Sequence, residues 1–425
     1  MSDLAERRAR VLAPTYRSFF ARPLHLVRGE GLNLWDADGR EYLDCYNNVV
    51  SVGHCHPHVV EALSRQAAKL NTHTRYLHEN VVELAERLTA KLPEPIEVCV
   101  FTCTGTEAND LATLIAREVT GRQGMAVSEC SYHGVSELVR TLSTGSYPKE
   151  KRPDWLAVLE PPNLYRGPFR YDEPDAASKY LEMAVEQLDA MEQRGHQLAA
   201  LMVDLVWDSN GPLNAPLDYV QGLCAEVRRR GGLIIVDEVQ SGYCRSGNHW
   251  WCADNFGITP DIVTCGKPMG DGHPLAMMAT SREIAQRYSE SYHYFNTFGG
   301  NPVSAAVGNA VIDVIENENL LQNVTDTGHY FEIRLNELAD RQPLIGDVQG
   351  CGLFWGLDMV NDPETRTPFD DPQMRKLGSL IVDEGVITGT SGRYDQILKL
   401  RPPLIFGKPE VDRAIAAIEA ALDRF

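Results

Sequence analysis

The chain has 425 residues, enough for two or three domains at about 150 residues each, and 43% of them are hydrophobic, which allows a sizeable core. Its formal net charge of −19 argues against a nucleic-acid surface, which needs clustered Lys and Arg. The ten cysteines include no CxxC pair, the N-terminus carries no apolar signal core, and no run approaches the roughly 20 apolar residues of a membrane span, so a reduced, cytoplasmic protein with neither membrane nor nucleic-acid partners is expected.

Residues 24–45 contain Asp36-Ala-Asp-Gly39, a hairpin-turn sequence between two apolar stretches. His54-Cys-His-Pro-His58 has the look of a metal cluster. No second Cys/His group has matching spacing, so no metal is expected, and a loop ended by Pro57 before a helix over Val59 to Leu70 fits better. Then Val98 to Thr102 reads as a strand and Thr106 to Thr120 as a helix. Met125 to Ser128, Trp155 to Leu159 and Ala199 to Val203 are further strands. A helix over Pro216 to Arg230 stops at Gly231-Gly232. Leu233 to Val236 is wholly apolar, as in a parallel sheet covered on both faces. Ile262 to Cys265 and Leu275 to Ala279 complete the series. Strands alternating with helices imply an α/β sheet with right-handed crossovers. Past about residue 310 come helices over Asn301 to Asn317 and on to Arg341. Strand-like Leu353 to Val360, a helix near Gln373 to Glu384, strand-like Ile397 to Leu400 and a final helix over Pro409 to Phe425 follow. The expected division is an N-terminal segment over 1–50, a large mostly parallel-sheet domain over 51–310 and a smaller α+β domain over 311–425.

Chemistry concentrates where strands end. Gly105 and Thr106 follow a strand and open a helix, where free N–H groups and the helix dipole favour an anion; Thr106 also reads as an ordinary N-cap. Tyr132-His133-Gly134 follows the next strand, and its aromatic ring suits stacking on a flat cofactor or plain packing on the core. Asp237 ends the Leu233 strand, in the ligand crevice of an open α/β sheet. Val239 and Gln240 follow it, the first suited to press on a ring and the second to reach a ring hydroxyl. Lys267, thirty positions beyond Asp237, ends a second short strand. A buried carboxylate and a partly buried amine at neighbouring strand ends suggest a pyridoxal-phosphate site. The lysine holds the aldehyde as a Schiff base, and the aspartate keeps the ring nitrogen protonated so that the ring accepts electrons.

Together these stretches resemble the class III aminotransferases, pyridoxal-phosphate enzymes of fold type I. The likeness runs through Gly53-His-Cys-His-Pro57, Gly105-Thr-Glu-Ala-Asn109, Tyr132-His-Gly134, Asp237-Glu-Val-Gln240 with Arg245, Lys267, Thr297-Phe-Gly-Gly-Asn-Pro302 and Gly350-Cys-Gly-Leu353. The resemblance implies a large mostly parallel-sheet domain with a smaller α+β domain, Lys267 as the Schiff-base lysine and Asp237 at the ring nitrogen. It puts Gly105 and Thr106 on the cofactor phosphate, Tyr132 on the ring, and Thr297 on the phosphate of a neighbouring subunit's cofactor in a homodimer.

Within the class, Tyr42-Leu-Asp-Cys45, Asn47-Asn-Val49, Thr74-Arg-Tyr-Leu-His78, Leu164-Tyr-Arg-Gly167, Gly266-Lys-Pro-Met-Gly270 with Gly272-His-Pro274, and Tyr294-Phe-Asn-Thr297 look like the branch of ethanolamine-phosphate and phosphohydroxylysine phospho-lyases. The reaction this implies is elimination of phosphate from a small phosphorylated amine such as O-phosphoethanolamine. Arg75 and Arg17 are candidate partners for that phosphate, through paired N–H donors. Lys399 stands where transaminases often place the arginine that grips a substrate carboxylate, and Arg401 lies beside it; both join the candidates. Asp204 and Trp207 depart from the class pattern, which usually has a glutamate followed by a small residue or proline. The alternative is an ω-aminotransferase, which shares every cofactor motif. A catalytically silent cofactor-binding scaffold is a third reading.

Overall fold

The computed structural model describes residues 2–16, 20 and 23–425. Leu26–Glu30 (β1), Asn33–Asp36 (β2) and Glu41–Asp44 (β3) form an antiparallel ribbon. Its β2–β3 turn is the expected hairpin: Asp36 Oδ1 accepts the N–H groups of Asp38 and Arg40, and Gly39 takes φ +85°.

A seven-stranded sheet forms the centre, from Ile96–Thr102 (β4), Gly124–Ser128 (β5), Leu156–Leu159 (β6), Leu198–Val203 (β7), Leu233–Asp237 (β8), Ile262–Cys265 (β9) and Ala276–Ser281 (β10). Their order across the sheet is β4-β10-β9-β8-β7-β5-β6. β10 alone runs antiparallel to its neighbours β4 and β9. The link between β9 and β10 is only 266–275, too short for the dozen or more residues a parallel crossover needs. Period-2 alternation divides β8 between the sheet's two faces. Ile234 and Val236 pack with Leu188 and Val227 of helices Ala176–Gln193 and Leu217–Arg229, while Ile235 packs with Leu111 and Ile115 of helix Gly105–Thr120. With helices on both faces, the carboxyl ends of β4, β5, β8 and β9 open along one edge, where ligands bind in such sheets.

The C-terminal part holds Ile345–Cys351 (β11), Phe354–Asp362 (β12), Thr367–Pro368 (β13), Val386–Ile387 (β14), Gly389–Ser391 (β15) and Ile397–Leu400 (β16). β14 pairs in parallel with β3, joining the N-terminal ribbon to the C-terminal chain. β16 lies between β12 and β15, so Lys399 stands on an interior strand, 6% exposed, and not on a solvated edge. Strand β11 and helices Glu79–Thr89 and Ala176–Gln193 go beyond the sequence reading. The three histidines at 54, 56 and 58 do not converge: His54 bonds Asp44 at 2.7 Å, His56 Glu318 at 3.1 Å and His58 Asp313 at 2.9 Å. Among the described residues no helix is long and apolar enough to cross a membrane.

Candidate active site

At the carboxyl edge of the sheet lies a cleft of about 380 Å³, and Gly105, Thr106, Tyr132, His133, Asp237, Val239, Gln240 and Lys267 all line it. Residues separated by 162 positions in the chain therefore meet in one place, because strands β4, β5, β8 and β9 all end there.

The helix N-terminus is capped two residues earlier than expected. Thr104, not Thr106, is the N-cap: its hydroxyl accepts the Glu107 N–H, and the Glu107 carboxylate accepts the N–H groups of Thr104 and Cys103. The first helical N–H groups have no partner inside the helix. With Thr104 as cap, those of Gly105 and Thr106 are left for an anion, and the Thr106 hydroxyl is free to join them. Glycines make the room. A Cβ at Gly105 would stand 2.9 Å from Val239, and one at Gly134 (φ +143°) would stand 2.7 Å from the Thr106 hydroxyl.

Asp237 is 4% exposed and firmly held. Its Oδ2 accepts from Asn109 Nδ2 and from His133 Nδ1, each at 2.8 Å, and its Oδ1 accepts the Val239 N–H at 3.0 Å. Asn109 also donates to the His133 carbonyl and accepts from Thr264 at 2.6 Å. Oδ1 keeps a lone pair, so the carboxylate is oriented yet has capacity for one more donor. Asn109 was quoted in the sequence only as the end of a motif. Its place one helical turn after Gly105 was the available signal for its role in orienting Asp237.

Lys267 opens the turn after β9, and the Ser51 hydroxyl pins that turn by donating to the Pro268 carbonyl at 2.7 Å. Burial pushes the Lys267 amine below its usual range. The Arg401 charge adds to this, while Asp208 and Asp237 oppose it. A lysine in this state has more of the neutral, nucleophilic form at neutral pH.

The wall opposite holds a charged cluster. Asp208 Oδ1 lies 3.0 Å from Lys399 Nζ and 3.5 Å from an Arg401 nitrogen, and its Oδ2 accepts from Gln240 Nε2 at 2.9 Å. Arg401 donates to Gln240 Oε1 at 2.7 Å. Burial lowers Lys399 to about 8 despite the Asp208 charge. The charges of Lys399 and Arg401 hold Asp208 below its usual range against the effect of burial. Asp208 and Gln240 line the cleft, whereas Lys399 and Arg401 stand behind them and do not. The Gln240 oxygen is thus engaged by Arg401, while its Nε2 keeps a second N–H beyond the one given to Asp208. Sequence reasoning missed Asp208, because only tertiary packing brings it to Lys399. The nearby departures have a local account. Asp204 accepts the N–H groups of Val206 and Asp208, and burial together with Asp208 and Asp237 pushes its carboxyl well above the usual range. Trp207 adopts φ +50° with its side chain buried among Val206 and Leu213.

Two expected residues lie outside this cleft. Thr297 and Arg75 are exposed and do not line this chain's cleft; Arg75 lies over the Phe295 ring at 4.0 Å. Arg17 falls outside the described residues.

The aminotransferase class-III profile matches residues 16–422. The chain belongs to the class III aminotransferases. An alanine–glyoxylate aminotransferase 2-like protein of Drosophila melanogaster is 38% identical over 94% of this chain and 82% of its own length. An ethanolamine-phosphate phospho-lyase homologue of Caenorhabditis elegans is 33% identical over 99% of this chain and 93% of its own. Among solved structures, a phospholyase from Arthrobacter in complex with phosphoethanolamine is 36% identical and superposes with a TM-score of 0.94, covering all of both chains. A thermostable ω-transaminase from Thermomicrobium roseum is 28% identical with a TM-score of 0.88, covering all of this chain and 98% of its own.

The fold is that of fold type I transaminases, and the cofactor of the family is pyridoxal phosphate. The cleft fits it. Unpaired N–H groups at Gly105 and Thr106 suit the phosphate, the remaining Asp237 lone pair suits a protonated ring nitrogen, and the lowered Lys267 amine suits the aldehyde.

Proposed function

We propose that this enzyme eliminates phosphate from a small phosphorylated amine, O-phosphoethanolamine or a near relative, giving an aldehyde, ammonia and inorganic phosphate. The observation that carries the reading is the end-to-end likeness to a phospholyase solved with phosphoethanolamine. Bound pyridoxal phosphate supplies an aldehyde that bonds the substrate amine and a ring that accepts electrons from the adjacent carbon.

The chain's residues do the rest. Gly105 and Thr106 hold the cofactor phosphate, and Asp237 keeps a proton at the ring nitrogen. Tyr132 and Val239 flank the ring. Lys267 takes the proton from the carbon bearing the substrate nitrogen, acting as general base. The bond from the neighbouring carbon to the phosphate oxygen then breaks, its electron pair leaving with phosphate as the carbon–carbon double bond forms. Water converts the released enamine to aldehyde and ammonia, so no amino acceptor is consumed. On the opposite wall Asp208 already engages Lys399 and Arg401, which fits a substrate that brings no carboxylate to them.

A homodimer with shared sites is part of the same proposal. Tyr76, Leu77, Phe298 and Phe295, 66%, 99%, 70% and 45% exposed, surround Arg75 and Thr297 with apolar surface that a second copy would cover. Arg75 and Thr297 then serve the partner's cleft. Arg75→Ala is expected to cut turnover of the phosphorylated substrate about tenfold or more while cofactor affinity holds, the scale of one lost charged hydrogen bond. Equal loss of both would make Arg75 structural.

Amino transfer is the second reading, favoured by the Drosophila relative. There Lys267 returns its proton on the cofactor side, and a keto acid takes the nitrogen. The two are separated by supplying phosphoethanolamine with and without pyruvate and measuring acetaldehyde and alanine. Acetaldehyde independent of pyruvate supports elimination; alanine formed in its place overturns it.

A further inference from the structure

The cap that leaves the Gly105 and Thr106 N–H groups for an anion is tied to a distant part of the chain. Glu107 spends one oxygen on the cap: Oε2 accepts the N–H groups of Cys103 at 2.8 Å and Thr104 at 2.9 Å. Its other oxygen, Oε1, accepts from Asn296 Nδ2 at 3.1 Å, across 189 residues. Asn296 belongs to Tyr294-Phe-Asn-Thr297, a stretch that in sequence was only a mark of likeness.

The partners of the Asn296 amide fix its orientation. Oδ1 accepts the backbone N–H groups of Phe298 at 3.1 Å and Gly299 at 2.9 Å, which can only donate. Nδ2 faces a carboxylate, which can only accept. Turning the amide over would break all three contacts. The turn that Asn296 opens is held at its far end as well. Asn301 Nδ2 donates to the Phe298 carbonyl at 2.7 Å, and Asn301 caps helix Pro302–Asn317 through the Ser304 N–H. The turn is also pressed onto the end of β4, where a Cβ at Gly299 would stand 2.5 Å from the Phe101 carbonyl oxygen. Thr297 is the exposed residue between Asn296 and Phe298. Neither Glu107 nor Asn296 lines the cleft, so both act through the residues they hold.

We infer that Asn296 is a positioning residue for the cofactor phosphate, joining the helix cap at Glu107 to the Thr297 turn. Within its own chain it steadies the carboxylate that holds the cap, and so the N–H groups of Gly105 and Thr106. Its reach into the partner's cleft rests on the homodimer reading, in which Thr297 serves that cleft. One hydrogen bond then sets two things at once: the cradle a subunit keeps and the hydroxyl it lends.

The test is a double-variant cycle of Asn296→Asp, Glu107→Gln and the two together. Each full-length protein is freed of cofactor and titrated with pyridoxal phosphate through its visible absorbance. N296D sets two carboxylates face to face. E107Q sets two amide donors face to face while the oxygen on the cap stays in place. The double variant again opposes one donor to one acceptor. N296D is expected to weaken cofactor binding about tenfold or more, the scale of one charged hydrogen bond, and E107Q severalfold. The double variant is expected to return to within about threefold of wild type. Charge changes that act on the phosphate independently would instead give the product of the two single effects. A double variant within about twofold of that product overturns the inference, and recovery beyond it upholds the pairing. Recovery seen in the unfolding of the cofactor-free proteins but not in cofactor affinity marks a merely structural contact and also overturns it. If N296D does not fold, a double variant that binds no more tightly than E107Q overturns it, since added negative charge alone weakens binding. Sedimentation of the wild-type holoenzyme separates this inference from the dimer. A monomer refutes the shared cradle, while recovery in that monomer upholds Asn296 on its own cap; a dimer without recovery refutes Asn296 alone.

Discussion

The two walls of the cleft are built on opposite principles. On one side one buried carboxylate, Asp237, is held by three hydrogen-bond donors from Asn109, His133 and Val239. On the other side one buried carboxylate, Asp208, is held by two cations, with Gln240 between them. The first arrangement leaves its carboxylate with an open lone pair and so can serve a bound group. The second sets one negative charge against two positive ones and keeps both cations tied to buried partners. A buried acid is therefore a functional group or a structural plug according to whether its partners exhaust it.

That contrast can be broken experimentally. The largest effect belongs to Lys267, which both walls flank. Lys267→Ala removes the amine proposed as general base and is expected to lower phosphate release by roughly 10²–10⁴-fold or more, with loss of the covalent cofactor absorbance. Retained absorbance and rate would show that another amine does the work. Next comes Asp208→Ala. It strands Lys399 and Arg401 as buried cations, and breaking such a pair costs about 3–5 kcal/mol, so denaturant unfolding should shift strongly. A variant as stable as wild type would mean that the cations find water, and the wall would not be closed. Asn109→Ala on the Asp237 side should cost less, about 1–3 kcal/mol for the hydrogen-bonding groups left unsatisfied, with a loss of cofactor affinity that Asp208→Ala does not match. If the two variants gave the same profile, the walls would not differ in kind.

The smallest effect concerns Glu238, beside Asp237. It is fully buried, accepts from Ser241 at 2.6 Å and Ala253 N–H at 2.9 Å, and burial raises its carboxyl to about 7. A carboxyl whose folded pKa lies above its unfolded value, roughly 4.3, binds extra protons in the folded chain. Its contribution to stability is therefore lost as pH rises from about 4.3 towards about 7. Glu238→Gln should flatten that part of the stability–pH curve; an unchanged slope would show that Glu238 does not titrate there.

The Asp237 wall was legible in the sequence and the Asp208 wall was not. Gly105, Thr106, His133, Asp237 and Lys267 each follow a strand that its own apolar run announces, so position along the chain already indicates position in space. Asp208 opens a three-residue 3-10 turn after β7 and meets Lys399 across 191 residues, a pairing that no local pattern encodes. The interior place of Lys399 was not visible in the sequence because the strand that covers it, β15, is only three residues long. The Thr104 cap was read one residue pair late, since either threonine satisfies the local rule and only the reciprocal Glu107 contact decides between them. The reversed direction of β10 follows from a short link whose length was visible, yet an apolar run alone does not show direction.

The central claim is that this cleft breaks a carbon–oxygen bond without consuming a keto acid. A phosphorus NMR time course of the holoenzyme with phosphoethanolamine alone tests it most directly. The account predicts steady conversion of the phosphomonoester resonance to inorganic phosphate over many turnovers. A phosphomonoester signal that persists, with the cofactor trapped in its aminated form until pyruvate is added, would contradict it.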